Sequence, residues 1–135
     1  MKHNDKELNY NIKKPDTVRT DILEVIEYAY PGKPIEVTIE HLEYTSVCPM
    51  TGLPDFGRIA IRYTPNLNLI ELKSLKFYLL QYRDVGIFYE HVVNRILENL
   101  TTLLKPKFME VSGEFTSRGG LTTKVRAFYE EKESW

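Results

Sequence analysis

The apolar period of this chain changes twice, and those changes fix the order of its elements. Ile35, Val37 and Ile39 alternate with Glu36, Thr38 and Glu40, the period of a strand with one buried face. Beyond His41 the phase slips to Leu42 and Tyr44, which predicts a bulge. Ile59, Ile61 and Tyr63 then alternate with Arg58, Ala60 and Arg62 to give a second strand that ends at Thr64-Pro65-Asn66. From Leu72 the spacing becomes three and four. Leu72, Leu75, Leu79 and Tyr82 predict an amphipathic helix over 71–83, and Phe88, Val92, Val93, Ile96, Leu97, Leu100, Leu103 and Leu104 predict a second that stops at Lys105-Pro106. Alternation returns at Met109, Val111 and Phe115, and again, after the turn signal Ser117-Arg118-Gly119-Gly120, at Leu121, Thr123, Val125 and Ala127.

The order strand, strand, helix, helix, strand, strand implies an α+β architecture: an antiparallel four-stranded sheet with two antiparallel helices on one face. The other face and both edges of such a sheet are open in a monomer, so self-association is expected. At 135 residues the chain fits one domain. Residues 1–33 read as an N-terminal arm with a short ordered segment, 34–129 as the domain and 130–135 as a solvated tail. With 18 basic and 19 acidic residues there is no global basic field, which argues against direct nucleic-acid binding. The start lacks the apolar run of a signal peptide and no stretch approaches a membrane span, so a soluble, cytoplasmic protein is expected, away from membranes. One cysteine and three scattered histidines give neither a disulfide nor a zinc-ligand spacing, so no metal site is predicted.

Chemistry, if the chain performs any, starts at its only cysteine. Cys48 and Asp55 share a loop that Pro49, Gly52 and Pro54 make tight. A thiol with a free pKa of about 8.5 needs a neighbour that activates it or reprotonates its product, and Asp55 is the nearest carboxyl in sequence. A lone cysteine is otherwise a small buried hydrophobe beside a turn. Lys73, Lys76 and Arg83 lie within about 80° on the first helix, a basic face that is ordinarily just solvated. With Arg118 in a Gly-rich turn, these cations could hold the phosphates of a dinucleotide. No Gly-x-Gly-x-x-Gly follows a strand, so a Rossmann site is excluded. Glu90 caps the second helix by default; a carboxylate there also matches two N–H donors on a guanine-like ring edge. His91 beside it reads as a surface residue.

Cys48-Pro49-x-Thr51-Gly52-x-Pro54-Asp55-Phe56, Glu71-x-Lys73-Ser74-Leu75-Lys76-x-Tyr78-Leu79 and Phe88-x-Glu90, in this order and spacing, resemble the short, single-module NADPH-dependent 7-cyano-7-deazaguanine reductases, the nitrile reductases of queuosine biosynthesis. The resemblance spans about residues 35 to 129. It implies the tunnelling fold (T-fold) shared with GTP cyclohydrolase I, with homo-oligomeric rings around a β-barrel and active sites at subunit interfaces. It further implies that Cys48 attacks the nitrile carbon to give a thioimide and that Asp55 donates the proton. The deazapurine would be gripped by Ile70, Glu71 and Leu72 and by Tyr89 and Glu90, while Lys73, Lys76 and Arg118 would hold NADPH, consumed at two per nitrile.

Many relatives carry histidine immediately before the glutamate, where this chain has Tyr89, so a histidine's role in proton handling or substrate contact does not carry over, although a phenol can still donate a hydrogen bond. Two rival readings stay in view. An archaeosine-type amidinotransferase adds ammonia to the same nitrile, but such relatives lack the Glu-x-Lys-Ser-x-Lys motif present at Glu71, Lys73, Ser74 and Lys76. A noncatalytic purine- or pterin-binding T-fold protein would keep the pocket and lose the chemistry.

Overall fold

The computed structural model describes residues 12–132; residues 1–11 of the predicted arm and 133–135 of the predicted tail lie outside them. The expected alternation resolves into β2 (Val37–Val47), β3 (Pro54–Thr64), β5 (Phe108–Arg118) and β6 (Leu121–Glu130), which form one antiparallel sheet in the order β2-β3-β5-β6. The helices are α1 (Leu72–Leu80) and α2 (Tyr89–Leu104).

One sheet face is apolar because alternate residues of the two central strands are: Ile59, Ile61 and Tyr63 from β3, and Met109, Val111 and Phe115 from β5. Leu75, Tyr78 and Leu79 of α1 and Val92, Val93, Ile96 and Leu100 of α2 close over that face as a single core. The opposite face is polar and paired: Arg62 bonds both Glu36 and Glu110, and Arg126 bonds Glu110. Its exposed Phe56 and Phe128 interrupt the charges.

The predicted order ββααββ omits two short strands. β1 (Val25–Glu27) and β4 (Asn68–Ile70) pair antiparallel as a separate ribbon, with β4 inserted between β3 and α1. Three residues are too few for alternation to register in sequence. Residues 12–33 of the predicted arm are bound along the domain. Val18, Leu23 and Tyr28 are buried, Glu24 N–H donates to Ser74 Oγ at 2.9 Å, and Gln81 exchanges hydrogen bonds with the Arg19 backbone.

The first helix is also shorter than its apolar spacing suggests. Glu71 is its N-cap and it ends at Leu80, after which Gln81–Asp84 tighten into a 3-10 turn. Arg83 therefore leaves the phase of Lys73 and Lys76, and its guanidinium caps the Leu80 carbonyl at 3.0 Å.

Two bulges at one end of the sheet matter most for the site. In the β2–β3 ladder His41 pairs with Ile59 but Tyr44 pairs with Gly57, so Leu42 and Glu43 together stand opposite Arg58. The extra residue is the predicted phase slip, and it turns Tyr44 and Ser46 onto the helix-covered face. In the β5–β6 ladder Phe115 pairs with Thr123 but Arg118 pairs with Leu121, and this second extra residue turns Arg118 to the same face.

Candidate active site

The chain reverses after β2 through a turn closed by Cys48 N–H to Leu53 O at 2.9 Å and Gly52 N–H to Cys48 O at 2.8 Å. Gly52 takes φ of +75°, a conformation that glycine adopts without cost. The returning strand sets Asp55 directly across the ladder from Ser46. The end of β2 is tied to the approach to α2, because Val47 N–H donates to Val85 O at 3.0 Å and Ile87 N–H donates to Val47 O at 3.1 Å. Two residues later α2 begins with Tyr89, so these two bonds bring its first turn against the cysteine hairpin.

Asp55 is 5 % exposed. Its Oδ1 accepts a hydrogen bond from the Tyr89 hydroxyl at 2.8 Å and pairs with Arg118 Nε at 2.9 Å. Among the described residues no side-chain hydrogen bond reaches Oδ2. Behind the carboxyl, Tyr44 and Ser46 are wholly buried, and neither hydroxyl has a hydrogen-bond partner among the described residues. Tyr89 is fixed from its other side: its ring stacks on Phe115 with centroids 3.9 Å apart and planes 10° apart. Phe115 in turn lies over two glycines. A Cβ on Gly113 would meet its ring at 2.7 Å, and one on Gly57 would meet it at 2.8 Å and the Glu114 carbonyl at 2.5 Å.

Burial pushes the Cys48 thiol up, and the Asp55 charge adds to that. Hydrogen bonding from the Thr51 side chain and from the backbone N–H groups of Met50 and Thr51 outweighs both, so the thiol sits below its ordinary value. The Tyr89 phenol moves the other way. Burial, then its hydrogen bond to Asp55 and the carboxylate's charge, push it up to about 12, against the opposing pull of Arg118.

The remaining predicted residues form a second cluster. Ile70 is buried in β4, its N–H donating to Tyr63 Oη at 3.1 Å. Glu71 spends both carboxylate oxygens on the start of α1, accepting from Ser74 N–H at 2.7 Å and Lys73 N–H at 2.9 Å, and those bonds hold it below the usual carboxylate range. Leu72, Lys73 and Lys76 are exposed on α1. A hollow of about 560 Å³ opens beside them, walled by Asp21, Ile22, Glu24, Glu71 and Phe77, so the N-terminal stretch contributes to this cluster. Glu90, exposed in the first turn of α2, sits with the first cluster beside Tyr89.

The two clusters occupy opposite ends of the sheet. Asp55 lies at the start of β3 and Tyr63, which touches Ile70, near its end; eight residues of strand span roughly 26 Å. One chain therefore brings together Cys48, Asp55, Tyr89, Glu90 and Arg118, and holds Ile70, Glu71, Leu72, Lys73 and Lys76 apart from them. The three cations assigned to one dinucleotide are split, with Arg118 on one side and both lysines on the other. Phe115, Tyr44 and Ser46 were absent from the sequence-based site. Only the phase slip before Tyr44 pointed towards any of them.

A family model described as QueF-like protein matches residues 54–134. A protein of Caldicellulosiruptor bescii named NADPH-dependent 7-cyano-7-deazaguanine reductase is 54 % identical over 90 % of this chain and 93 % of its own length. One of Caldanaerobacter subterraneus subsp. tengcongensis with the same name is 50 % identical over 95 % of this chain and 96 % of its own. Among solved structures, an archaeosine synthase, QueF-Like, in the apo form superposes with a TM-score of 0.68 over 75 % of this chain and 99 % of that one. At 21 % identity that likeness speaks to the fold alone.

Proposed function

The chain belongs to the family of QueF-like proteins, and from that membership and the hairpin site we propose that it is an NADPH-dependent nitrile reductase that converts 7-cyano-7-deazaguanine to 7-aminomethyl-7-deazaguanine for queuosine biosynthesis. The observation that carries this reading is that one hairpin sets a thiol held below its ordinary pKa near a buried carboxyl whose Oδ1 is held by Tyr89 and Arg118.

A nitrile is a poor hydride acceptor, and covalent capture divides one hard step into easier ones. The Cys48 S–H adds across the C≡N bond with Asp55 relaying the proton: the S–C bond forms, one π bond is consumed, and Asp55 protonates nitrogen while taking up the proton that sulfur gives up, giving a thioimide. NADPH, a co-substrate consumed at two per nitrile, supplies one hydride to that carbon in each of two reductions. Asp55 delivers one proton to nitrogen with each of them. Between the two, the C–S bond breaks, nitrogen returns a proton to sulfur and Cys48 is regenerated as the free thiol. The balance is one nitrile, two hydrides and two protons to one primary amine.

Glu90 and the Glu71 segment read the deazapurine edges, and Lys73 and Lys76 meet the anionic groups of NADPH. Both lysines suit that task, being exposed and free of ion pairs among the described residues. The separation of the two clusters supports active sites completed across subunit interfaces, as in T-fold rings, and the outer edges of β2 and β6, which among the described residues carry no further strand of the sheet, supply surfaces along which sheets could join. On this reading the protein works in the cytoplasm, where reducing conditions keep a lone thiol free. No helix among the described residues is long and apolar enough to cross a membrane.

The test is to mix the protein with 7-cyano-7-deazaguanine, with and without NADPH, and to follow cofactor absorbance and intact protein mass. Oxidation of two NADPH per nitrile, with an adduct on Cys48 in the cofactor-free sample, is the expected result. An adduct without NADPH oxidation would instead indicate the ammonia-adding reaction, and neither signal would leave a binding protein.

A further inference from the structure

We propose that Tyr89 is a positioning residue for Asp55: together with Arg118 it occupies Oδ1, which leaves Oδ2 as the oxygen that carries the proton and delivers it to the substrate nitrogen. The inference rests on the assignment of Asp55 as proton donor and specifies how this chain, with a phenol at that position, orients it.

A carboxyl on a β-strand rotates about its terminal bond over a broad, roughly two-fold range, so an unrestrained Asp55 would present either oxygen. A hydroxyl donating at 2.8 Å and a guanidinium ion-paired at 2.9 Å, both on the same oxygen, restrict that freedom. They arrive from different elements, Tyr89 from the start of α2 and Arg118 from the end of β5, and each is itself held. Tyr89 cannot swing away without losing its stack on Phe115 at 3.9 Å, and Phe115 is seated in the space left by Gly57 and Gly113. Arg118 is turned inward by the β5 bulge, and its Nη2 also donates to Pro54 O at 3.4 Å. Sheet, bulge, stacked rings and hydroxyl thus form one chain of contacts that ends at Oδ1.

The phenol also makes this support insensitive to pH. Its value of about 12 keeps the O–H in place as a donor through the range in which an imidazole would gain and lose a proton. The other charged or titratable groups facing this centre are Arg118 from β5, Cys48 from the hairpin turn and Tyr44 from β2. Burial raises the Tyr44 phenol too, so it also stays neutral there.

The experiment measures the rate of Cys48 adduct formation with 7-cyano-7-deazaguanine in the absence of NADPH, by intact mass, for wild type, Tyr89→Phe and Tyr89→His from about pH 5.5 to about pH 9. Tyr89→Phe keeps the stack and removes only the O–H. Its adduct rate at saturating substrate is expected to fall by about tenfold to a hundredfold while the protein stays folded. Tyr89→His is expected to recover part of the rate and to add an inflection near the imidazole's ordinary value of about 6.5 that wild type lacks. A Tyr89→Phe rate equal to wild type, or a Tyr89→His pH profile that superposes on it, overturns the positioning role while the reductase reading stands. If the wild type itself forms no adduct and oxidises no NADPH, the reading falls and this inference with it.

Discussion

Ser46 and Asp55 face each other across the β2–β3 ladder on the helix-covered side of the sheet, both buried, and they do so because two residues of β2 stand opposite one of β3 at the bulge. Had the strands kept the register of His41 and Ile59, β2 would present its other set of side chains to the interior and Ser46 would point away from the carboxyl. A single extra residue therefore decides which side chains surround Asp55.

That dependence extends to the glycines under Phe115. Gly57→Ala places a methyl 2.5 Å from the Glu114 carbonyl and 2.8 Å from the Phe115 ring, and a backbone carbonyl in a central ladder has little room to move. We expect a loss of about 1–3 kcal/mol of stability, read as a lower urea midpoint with an unchanged slope. Gly113→Ala meets only side-chain atoms, the Phe115 ring at 2.7 Å and Val93 at 3.1 Å. Here the ring is displaced towards Tyr89, and turnover is expected to fall further than stability does. Equal turnover in wild type and Gly113→Ala would show that the Phe115 stack does not govern the site.

The core makes a simpler prediction. Leu100 is wholly buried on the α2 face that covers the sheet. Leu100→Ala removes its contacts and leaves a cavity, at a cost of about 2–5 kcal/mol. Thermal or urea unfolding measures this directly, and a change below about 1 kcal/mol would mean that the surrounding side chains collapse into the space.

For Cys48 the sign of the pH dependence is fixed by the shift. Because the native thiol sits below its ordinary value, its thiolate persists to lower pH than in the unfolded chain. Iodoacetamide labelling should therefore show a lower midpoint in the native than in the denatured protein, and the associated stability should be present at high pH and lost as pH falls through the native thiol's pKa. Thr51→Val removes the side-chain hydrogen bond that helps lower the thiol. Labelling near pH 7.5 is expected to slow by about two- to fivefold, corresponding to a few tenths of a pH unit. If labelling of Thr51→Val matched wild type, the backbone N–H groups alone would account for the shift.

What the sequence could reveal followed from where apolar residues mark a phase. The slip at His41 was legible because Ile39 and Tyr44 are apolar on either side of it. The second bulge, at Thr116 and Ser117, left no trace: both residues are polar and exposed, and the Gly119-Gly120 turn that follows ends the alternation in any case. Arg118 therefore read as a turn cation, when its Nε lies 2.9 Å from Asp55. Arg83 failed for a related reason, since a change from α to 3-10 geometry shifts every later residue around the axis and the letters of Gln81–Asp84 do not announce it. The stack of Tyr89 on Phe115 joins the start of a helix to a strand 26 positions later, a contact that no local period encodes.

The roughly 26 Å between Asp55 and the Ile70 cluster yields the prediction that bears most directly on assembly. Cys48→Ala disables the hairpin cluster of its own chain, and Glu71→Gln weakens the α1 cluster while keeping an oxygen to cap the helix. If each active site joins the hairpin of one subunit to the α1 cluster of its neighbour, neither variant alone is fully active. Unfolding and refolding the two together at equal amounts then gives about a quarter of the sites two intact halves, so activity returns to about a quarter of the wild-type level. Separately refolded variants, mixed only afterwards, provide the control. Were both clusters to serve one site within a chain, no subunit in the mixture would contain an intact pair, and co-refolding would add nothing to the sum of the two variants measured apart.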